Sequence, residues 1–170
     1  MSKRRIYDSE LHAFFITFSC YHRRRLLDHE RAKNIVVERL AAELVKHDAT
    51  CIGFVIMPDH VHSLVWFSEP NHLSNFVKHW KQRSSVELKK LYHTVLPHYA
   101  ATIDLADPIW QRKYYPFNIY SGHKMREKLD YMHANPVRAG LVARPSDWAW
   151  SSARHYELNE PVGMPIRWVE

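Results

Sequence analysis

The sequence predicts an α+β fold of the ferredoxin-like sandwich type: a four-stranded, mostly antiparallel sheet with helices packed on one face, followed by a packed C-terminal tail. Three observations predict it. Aromatic and β-branched runs alternate with stretches of helical periodicity in the order strand, helix, hairpin, helix, strand, helix. Two of the runs are separated only by Pro58-Asp59, which makes them an antiparallel pair. With 170 residues, 46% of them hydrophobic, the chain can bury one substantial core, so residues 1–140 are expected to form the domain and residues 141–170 the tail.

Each element has a local reason. Residues 13–18, Ala-Phe-Phe-Ile-Thr-Phe, read as a strand ended by the basic turn Tyr21-His22-Arg23-Arg24-Arg25. From Asp28, a plausible N-cap, Ala32, Ile35, Val36, Leu40, Leu44 and Val45 recur at helical spacing. Residues 50–57 and 60–67 are strand-like, and the second is expected inside the sheet. Asn71 is expected to cap a second helix with an apolar stripe of Leu73, Phe76, Val77, Trp80, Leu88 and Leu91. Residues 109–120 read as one more strand, expected at an edge or a bulge because Pro116 interrupts it. Ser121 then opens a third helix that Pro136 is expected to close. In the tail, Trp148, Trp150 and Trp168 are too much apolar surface to leave in water, so it should pack.

Composition narrows the function. The formal charge is +6, with 24 Lys and Arg beside 13 His, which favours a polyanionic partner, nucleic acid by default. Cys20 and Cys51 sit in apolar runs and imply no disulfide framework. Residues 1–10 are charged and the apolar run after them is too short for a signal segment or a membrane span, so a cytoplasmic location and no membrane partner are expected. Only four glycines are present, none in a phosphate-cradling loop, so no nucleotide cofactor is expected.

The chemistry concentrates in Met57-Pro58-Asp59-His60-Val61-His62. On a strand, His60 and His62 lie on one face about 7 Å apart. Two such imidazoles can share a divalent metal. A pair of this kind also arises by chance among 13 histidines, and two ligands are too few for a complete site. On the third helix Tyr131 and Asn135 are i, i+4 neighbours, offset from the stripe of Met125, Leu129 and Met132 and set among Lys124 and Lys128. An Asn135 amide oxygen can complete a site suited to Mg²⁺ or Mn²⁺, with the phenol facing the same phosphate. The plain alternative is a tyrosine half-buried against the sheet and an asparagine capping the helix. As a nucleophile, Tyr131 needs a metal at the scissile phosphate, because an ordinary phenol is protonated at pH 7; Lys124 and Lys128 can help by proximity.

Those residues, with Tyr131-Met132-His133-Ala134-Asn135-Pro136-Val137-Arg138-Ala139-Gly140-Leu141-Val142, Asp147-Trp148-Ala149-Trp150-Ser151-Ser152 and Trp110-Gln111-Arg112, resemble the REP-associated tyrosine transposases, relatives of the single-tyrosine HUH transposases. The resemblance implies the HUH form of the ferredoxin-like fold, His60 and His62 as metal ligands, and Tyr131 as the nucleophile forming a 5′-phosphotyrosine. Asn135 stands where related enzymes carry a polar ligand, usually glutamine. The implied substrate is hairpin-forming, REP-like single-stranded DNA, met in the cytoplasm at the nucleoid by a monomer or a homodimer. Arg23, Arg24, Arg25, Lys78, Lys81, Arg83, Arg112, Lys113, Lys124 and Lys128 are the cations expected to follow its backbone. Tyr114 and Tyr115 are rival nucleophiles better suited to packing or base stacking. Two other classes stay open: a DNA-binding module that has lost catalysis, and a metallohydrolase using Asp59 or Asp104 to activate water.

Overall fold

The computed structural model describes residues 13–170; the charged residues 1–10 lie outside the described residues. The elements follow in the expected order: β1 (Ala13–Ser19), α1 (Glu30–Lys46), β2 (Ala49–Ile56), β3 (His60–Phe67), α2 (Leu73–Thr94), a single turn α3 (Pro97–Ala100), β4 (Tyr115–Ile119), α4 (Gly122–Arg138) and α5 (Ala153–Leu158). The sheet order is β2-β3-β1-β4 and every pair is antiparallel. Pro58 and Asp59 form the two-residue turn of the β2–β3 hairpin, closed by Met57 N–H donating to the His60 carbonyl at 2.8 Å.

Helices cover both faces of this sheet rather than one. Phe14, Ile16 and Phe18 of β1 and Val61 and Val65 of β3 pack with Val36, Leu40, Phe76, Val77 and Trp80 of α1 and α2. Phe15, Leu64, Ile52 and Val55 point the other way and meet Met125, Leu129 and Met132 of α4. The physical reason is visible in β1 and β3, which lack the apolar–polar alternation of a half-solvated strand and so need cover on each side. The α4 stripe is buried as expected, each side chain contributing about 1.5–3 kcal/mol. At the end of this face His60 and His62 are buried while Tyr131 of α4 is half-exposed.

Local signals explain the other differences. His29 rather than Asp28 caps α1, its Nδ1 accepting from Arg31 N–H at 3.1 Å, while Asp28 is held by Arg25 at 2.7 Å. Asn71 does not cap α2; it turns the chain at φ 65°, a left-handed conformation asparagine tolerates, and His72 takes the cap position without a side-chain bond to the helix. Residues 109–120 are not one strand. Ile109 and Trp110 fill the core, Trp110 bridging Cys20, and only Tyr115–Ile119 pairs with β1, at the edge where Pro116 is tolerated.

Pro136 does not close α4, which continues to Arg138 with Pro136 buried inside it. One proline in the last turns removes one backbone bond, and packing of its ring makes up for it. The helix instead ends at Gly140, φ 73°, where Gly140 N–H reaches the Val137 carbonyl and Leu141 N–H the Pro136 carbonyl, at 3.0 and 2.9 Å. Asn135 is therefore an interior helical residue that keeps its face with Tyr131, not a cap.

The C-terminal segment carries a 3-10 turn at Pro145–Asp147 and α5. Ile56 N–H donates to the Trp150 carbonyl and Ser152 N–H to the Phe54 carbonyl, both at 2.9 Å, covering the outer edge of β2. Trp148 and Trp150 spend their indole N–H groups on the Ile56 carbonyl and Asn34 Oδ1.

Gly53, at the β2 bulge, sets how closely α4 approaches the sheet. A Cβ there would lie 2.4 Å from Leu129 Cδ1 and 2.6 Å from Met132 Cε. Both side chains are buried and flank Tyr131 in sequence. Gly53→Val is expected to cost about 1–3 kcal/mol in urea unfolding, and a variant unfolding at the wild-type midpoint would show that α4 is not seated on this glycine.

Candidate metal and nucleophile site

His60 and His62 stand at the start of β3, an interior strand, on the face that α4 covers. The register sets Ser19 opposite His60 and Thr17 opposite His62, so the polar residues of β1 meet the histidines. Their rings are 4.8 Å apart, centroid to centroid, nearly perpendicular. That is closer than the spacing along an ideal strand, because the rings lean together.

Each ring is fixed through Nδ1. His60 Nδ1 lies 2.7 Å from Asp59 Oδ1, and a carboxylate can only accept there, so Nδ1 carries the proton and Nε2 keeps its lone pair. Asp59 is itself held by Arg23 at 3.1 Å. His62 Nδ1 lies 2.7 Å from Thr17 Oγ1, and its ring stacks on Phe15 at 5.1 Å. With Nδ1–H donated to the hydroxyl, His62 also presents a free Nε2.

Burial keeps both imidazoles neutral. His60 is lowered from the ordinary histidine pKa by burial, partly offset by Asp59. His62 is pushed down to about 3, first by burial, then by His60, Arg138, Arg23 and Lys128. Neutral, pre-oriented imidazoles with free Nε2 atoms are what a divalent ion requires. From α4, the Asn135 amide nitrogen approaches His60 Nε2 to 3.3 Å. Its two amide atoms are interchangeable by a half-turn, so an oxygen can face the same place. The donor set of two imidazoles and an amide fits a divalent metal with open positions.

Tyr131 stands one turn before Asn135, 49% exposed. Its ring meets His62 edge-on at 5.9 Å and Phe15 at 6.3 Å. The Arg138 guanidinium lies 4.4 Å over the ring and also binds the Tyr131 carbonyl at 2.8 Å. Lys128 Nζ is 5.9 Å from the ring centroid. The fold thus brings together the predicted quartet of His60, His62, Tyr131 and Asn135, from one chain, with Lys128, Arg138 and Arg23 as surrounding cations.

The other expected cations divide. Lys124 is engaged by Glu127 at 2.9 Å, Arg24 by Asp107 at 3.1 Å and Arg25 by Asp28 at 2.7 Å. Arg83 is paired with Glu43 at 3.0 Å on the far side of the sheet. Lys81 holds the Gln111 and Arg112 carbonyls at 2.6 and 3.0 Å, positioning the approach to β4. Lys78 and Arg112 border a cleft with Ser74 and Tyr114; Lys113 is exposed.

Tyr115 pairs across β1 with Thr17, which places it on the face of the histidines but two strands from His62, roughly 10 Å away by strand spacing. It is 62% exposed, open for stacking. Sequence reasoning missed Thr17, Arg138 and the orienting role of Asp59. Thr17 was the detectable one, a polar residue set between Ile16 and Phe18 in the apolar run of β1.

His133, on the inner side of α4, faces Ser152 Oγ at 2.6 Å. Burial, then Arg126, pushes its pKa down to about 4. The unfolded chain therefore binds more protons below the ordinary histidine range, and stability falls as pH drops from about 6.5 towards 4. His133 alone accounts for about 3 kcal/mol over that window. Urea midpoints across it should decline less steeply for His133→Gln than for wild type, and parallel declines would remove His133 as a cause.

The model of the family described as "Transposase IS200 like" matches residues 7–135. A REP-associated tyrosine transposase of Escherichia coli is 27% identical over 117 residues, 69% of this chain and 61% of that protein. A candidate REP-associated tyrosine transposase of Haemophilus influenzae is 26% identical over 59% of this chain and 57% of its own length. The chain thus aligns with about three fifths of the length of each. Among solved structures, a REP-associated tyrosine transposase bound to a REP hairpin superposes with a TM-score of 0.71 at 20% identity, covering 100% of this chain and 94% of that one. A candidate transposase from Deinococcus radiodurans R1 gives 0.51 at 21% identity, covering 77% and 95%. With the matched segment spanning the sheet, the histidine pair, Tyr131 and Asn135, the chain belongs to the IS200-like transposase family, alongside the REP-associated tyrosine transposases it resembles.

Proposed function

We propose that this protein cuts and rejoins single-stranded DNA through a transient covalent bond to Tyr131. The observation that carries the reading is the placement of a half-exposed Tyr131 edge-on to His62 while Asn135, one turn on, meets His60. His60 and His62 through Nε2, and Asn135 through its amide oxygen, would hold Mg²⁺ or Mn²⁺. When bound, such an ion polarises a phosphoryl oxygen and offsets charge developing in the transition state.

The chain's own residues do the rest. Tyr131 Oη attacks phosphorus in line; the new O–P bond forms as the bond to the 3′-oxygen breaks. The phenol proton leaves to solvent, and the departing 3′-oxygen takes one up. The products are a 5′-phosphotyrosine and a free 3′-hydroxyl, and the reverse attack rejoins a strand with no nucleotide cofactor. Lys128 and Arg138, beside the Tyr131 ring, attract the phosphate and Arg23 steadies Asp59 against His60.

The partner of this reading is hairpin-forming, REP-like single-stranded DNA. It is supported by the E. coli relative's name and by the hairpin carried by the structural neighbour. Lys78, Arg112 and Lys113, with Tyr115 for base stacking, are exposed groups on which its backbone and bases would lie. The contact of Tyr131 with His62 of its own chain supports a monomer over a homodimer that exchanges helices, acting in the cytoplasm at the nucleoid. Residues 1–140 form the catalytic unit and residues 141–170 brace it along β2.

The water-activating alternative rests on Asp59 or Asp104, and each has another engagement. Asp59 is spent on His60 and Arg23, and Asp104 Oδ1 on the Ala106 N–H of its own loop. Labelled hairpin DNA with a single-stranded flank, incubated with the protein and Mg²⁺ or Mn²⁺, should yield a denaturant-resistant adduct at Tyr131. Cleavage leaving only free ends at every time point would instead assign the reaction to water.

A further inference from the structure

The far face of the sheet carries a second group of metal-ligand side chains that the transposase reading does not use. Glu43 and His47, four residues apart at the end of α1, share one face of that helix. His79 projects towards them from α2. Their three ligand atoms lie within 4.8 Å of one another, the only such group of His, Cys, Asp and Glu among the described residues. The group lies near the Phe67 end of β3, whereas His60 and His62 begin that strand and face α4.

Glu43 is 0% exposed, and among the described residues neither of its oxygens has a hydrogen-bond partner; the same holds for His47 Nε2. Arg83 Nη1 forms an ion pair with Oε1 at 3.0 Å, outside hydrogen-bond geometry, and offsets part of its charge. Oε2 instead faces His47 Nε2 at 3.4 Å and His79 Nδ1 at 3.8 Å. A tetrahedral zinc ion bound at about 2.0–2.1 Å sets its ligand atoms roughly 3.3–3.4 Å apart. One pair already has that separation; the partly exposed His79 has to close on the other two, from 3.8 Å on Oε2 and from within 4.8 Å on His47 Nε2.

The outer groups suit the same purpose. His47 Nδ1 lies 3.0 Å from His72 Nδ1. Two imidazole nitrogens that close must be one donor and one acceptor, and donation by His47 leaves its Nε2 lone pair aimed at Glu43. Lys46 Nζ lies 3.3 Å from His79 Nδ1, so an exposed ammonium stands where the ion's positive charge would act. Arg83 and Lys46 are the costs of the site: both repel a cation, and both are exposed side chains with room to lean into solvent.

We propose that Glu43, His47 and His79 bind a zinc-type divalent ion that clips α1 to α2, independently of the His60–His62 centre. The donor set of two imidazoles and one carboxylate favours zinc, cobalt or nickel over magnesium. Water completes the coordination on the open His79 side.

The test uses full-length His60→Ala/His62→Ala protein, so that the other site takes no ion. Equilibrium dialysis against Zn²⁺ should retain one ion per chain, raise Tm, and give visible d–d bands when Co²⁺ replaces Zn²⁺. Adding His79→Ala, a partly exposed position that leaves the core intact, should weaken binding by at least the about 10–100-fold that loss of an outer partner costs. It should also abolish the rise in Tm. Lys46→Met should tighten binding. No retained ion at micromolar Zn²⁺, or retention indifferent to both His79→Ala and Lys46→Met, overturns the site; neither result bears on DNA cleavage at Tyr131.

Discussion

Tyr131→Phe is expected to lower cleavage of single-stranded DNA by at least about a thousandfold, in line with loss of a nucleophile whose absence water does not make good. The covalent adduct should disappear altogether. The substitution removes one hydroxyl from a half-exposed ring, so the edge contacts with Phe15 and His62 and the Arg138 guanidinium over the ring all stay. DNA affinity and unfolding midpoint should therefore stay close to wild type, which separates chemistry from binding. Tyr115→Phe is the matched control. Tyr115 shares the face but stands beyond β1, so its variant should still form the adduct. An adduct that survives Tyr131→Phe and vanishes with Tyr115→Phe would move the nucleophile to β4.

Much of this arrangement was legible from residue pattern. The Pro58-Asp59 turn fixed the hairpin, and period two along His60-Val61-His62 put both imidazoles on one face. The helical wheel correctly separated Tyr131 from the Met125, Leu129 and Met132 stripe. Three things were not legible for identifiable reasons. Which face α4 would cover depended on recognising that β1 and β3 are apolar on both sides, a property of strand pairs rather than of any single run. The end of α4 was assigned to Pro136 by local rule, whereas Gly140 and tertiary packing decide it. Thr17 lies 45 residues from His62, and no local pattern links them; only the β1–β3 register does. Charge counting also does not reveal pairing: Arg24, Arg25, Arg83 and Lys124 each lie against a carboxylate.

That register contact gives the second large expected effect, and a graded one. His62→Ala removes an imidazole from a nearly dry position, leaving His60 and Asn135 unable to hold a divalent ion with useful affinity. Metal-dependent cleavage should fall by about a thousandfold or more, comparable to loss of the nucleophile. Thr17→Val keeps the ring and its stacking on Phe15 but removes the hydroxyl that fixes Nδ1. His62 is then free to rotate or to place its proton on Nε2, and the expected cost is about 10–100-fold in metal affinity or rate. The distinguishing readout is rescue: raising Mn²⁺ should restore much of the Thr17→Val activity and little of the His62→Ala activity. Asp59→Asn should resemble Thr17→Val, since an amide oxygen still accepts from His60 Nδ1 but loses Arg23 and the charge that supports ligand basicity. Equal losses in all three variants, with no response to metal concentration, would mean that these histidines shape the sheet and hold nothing.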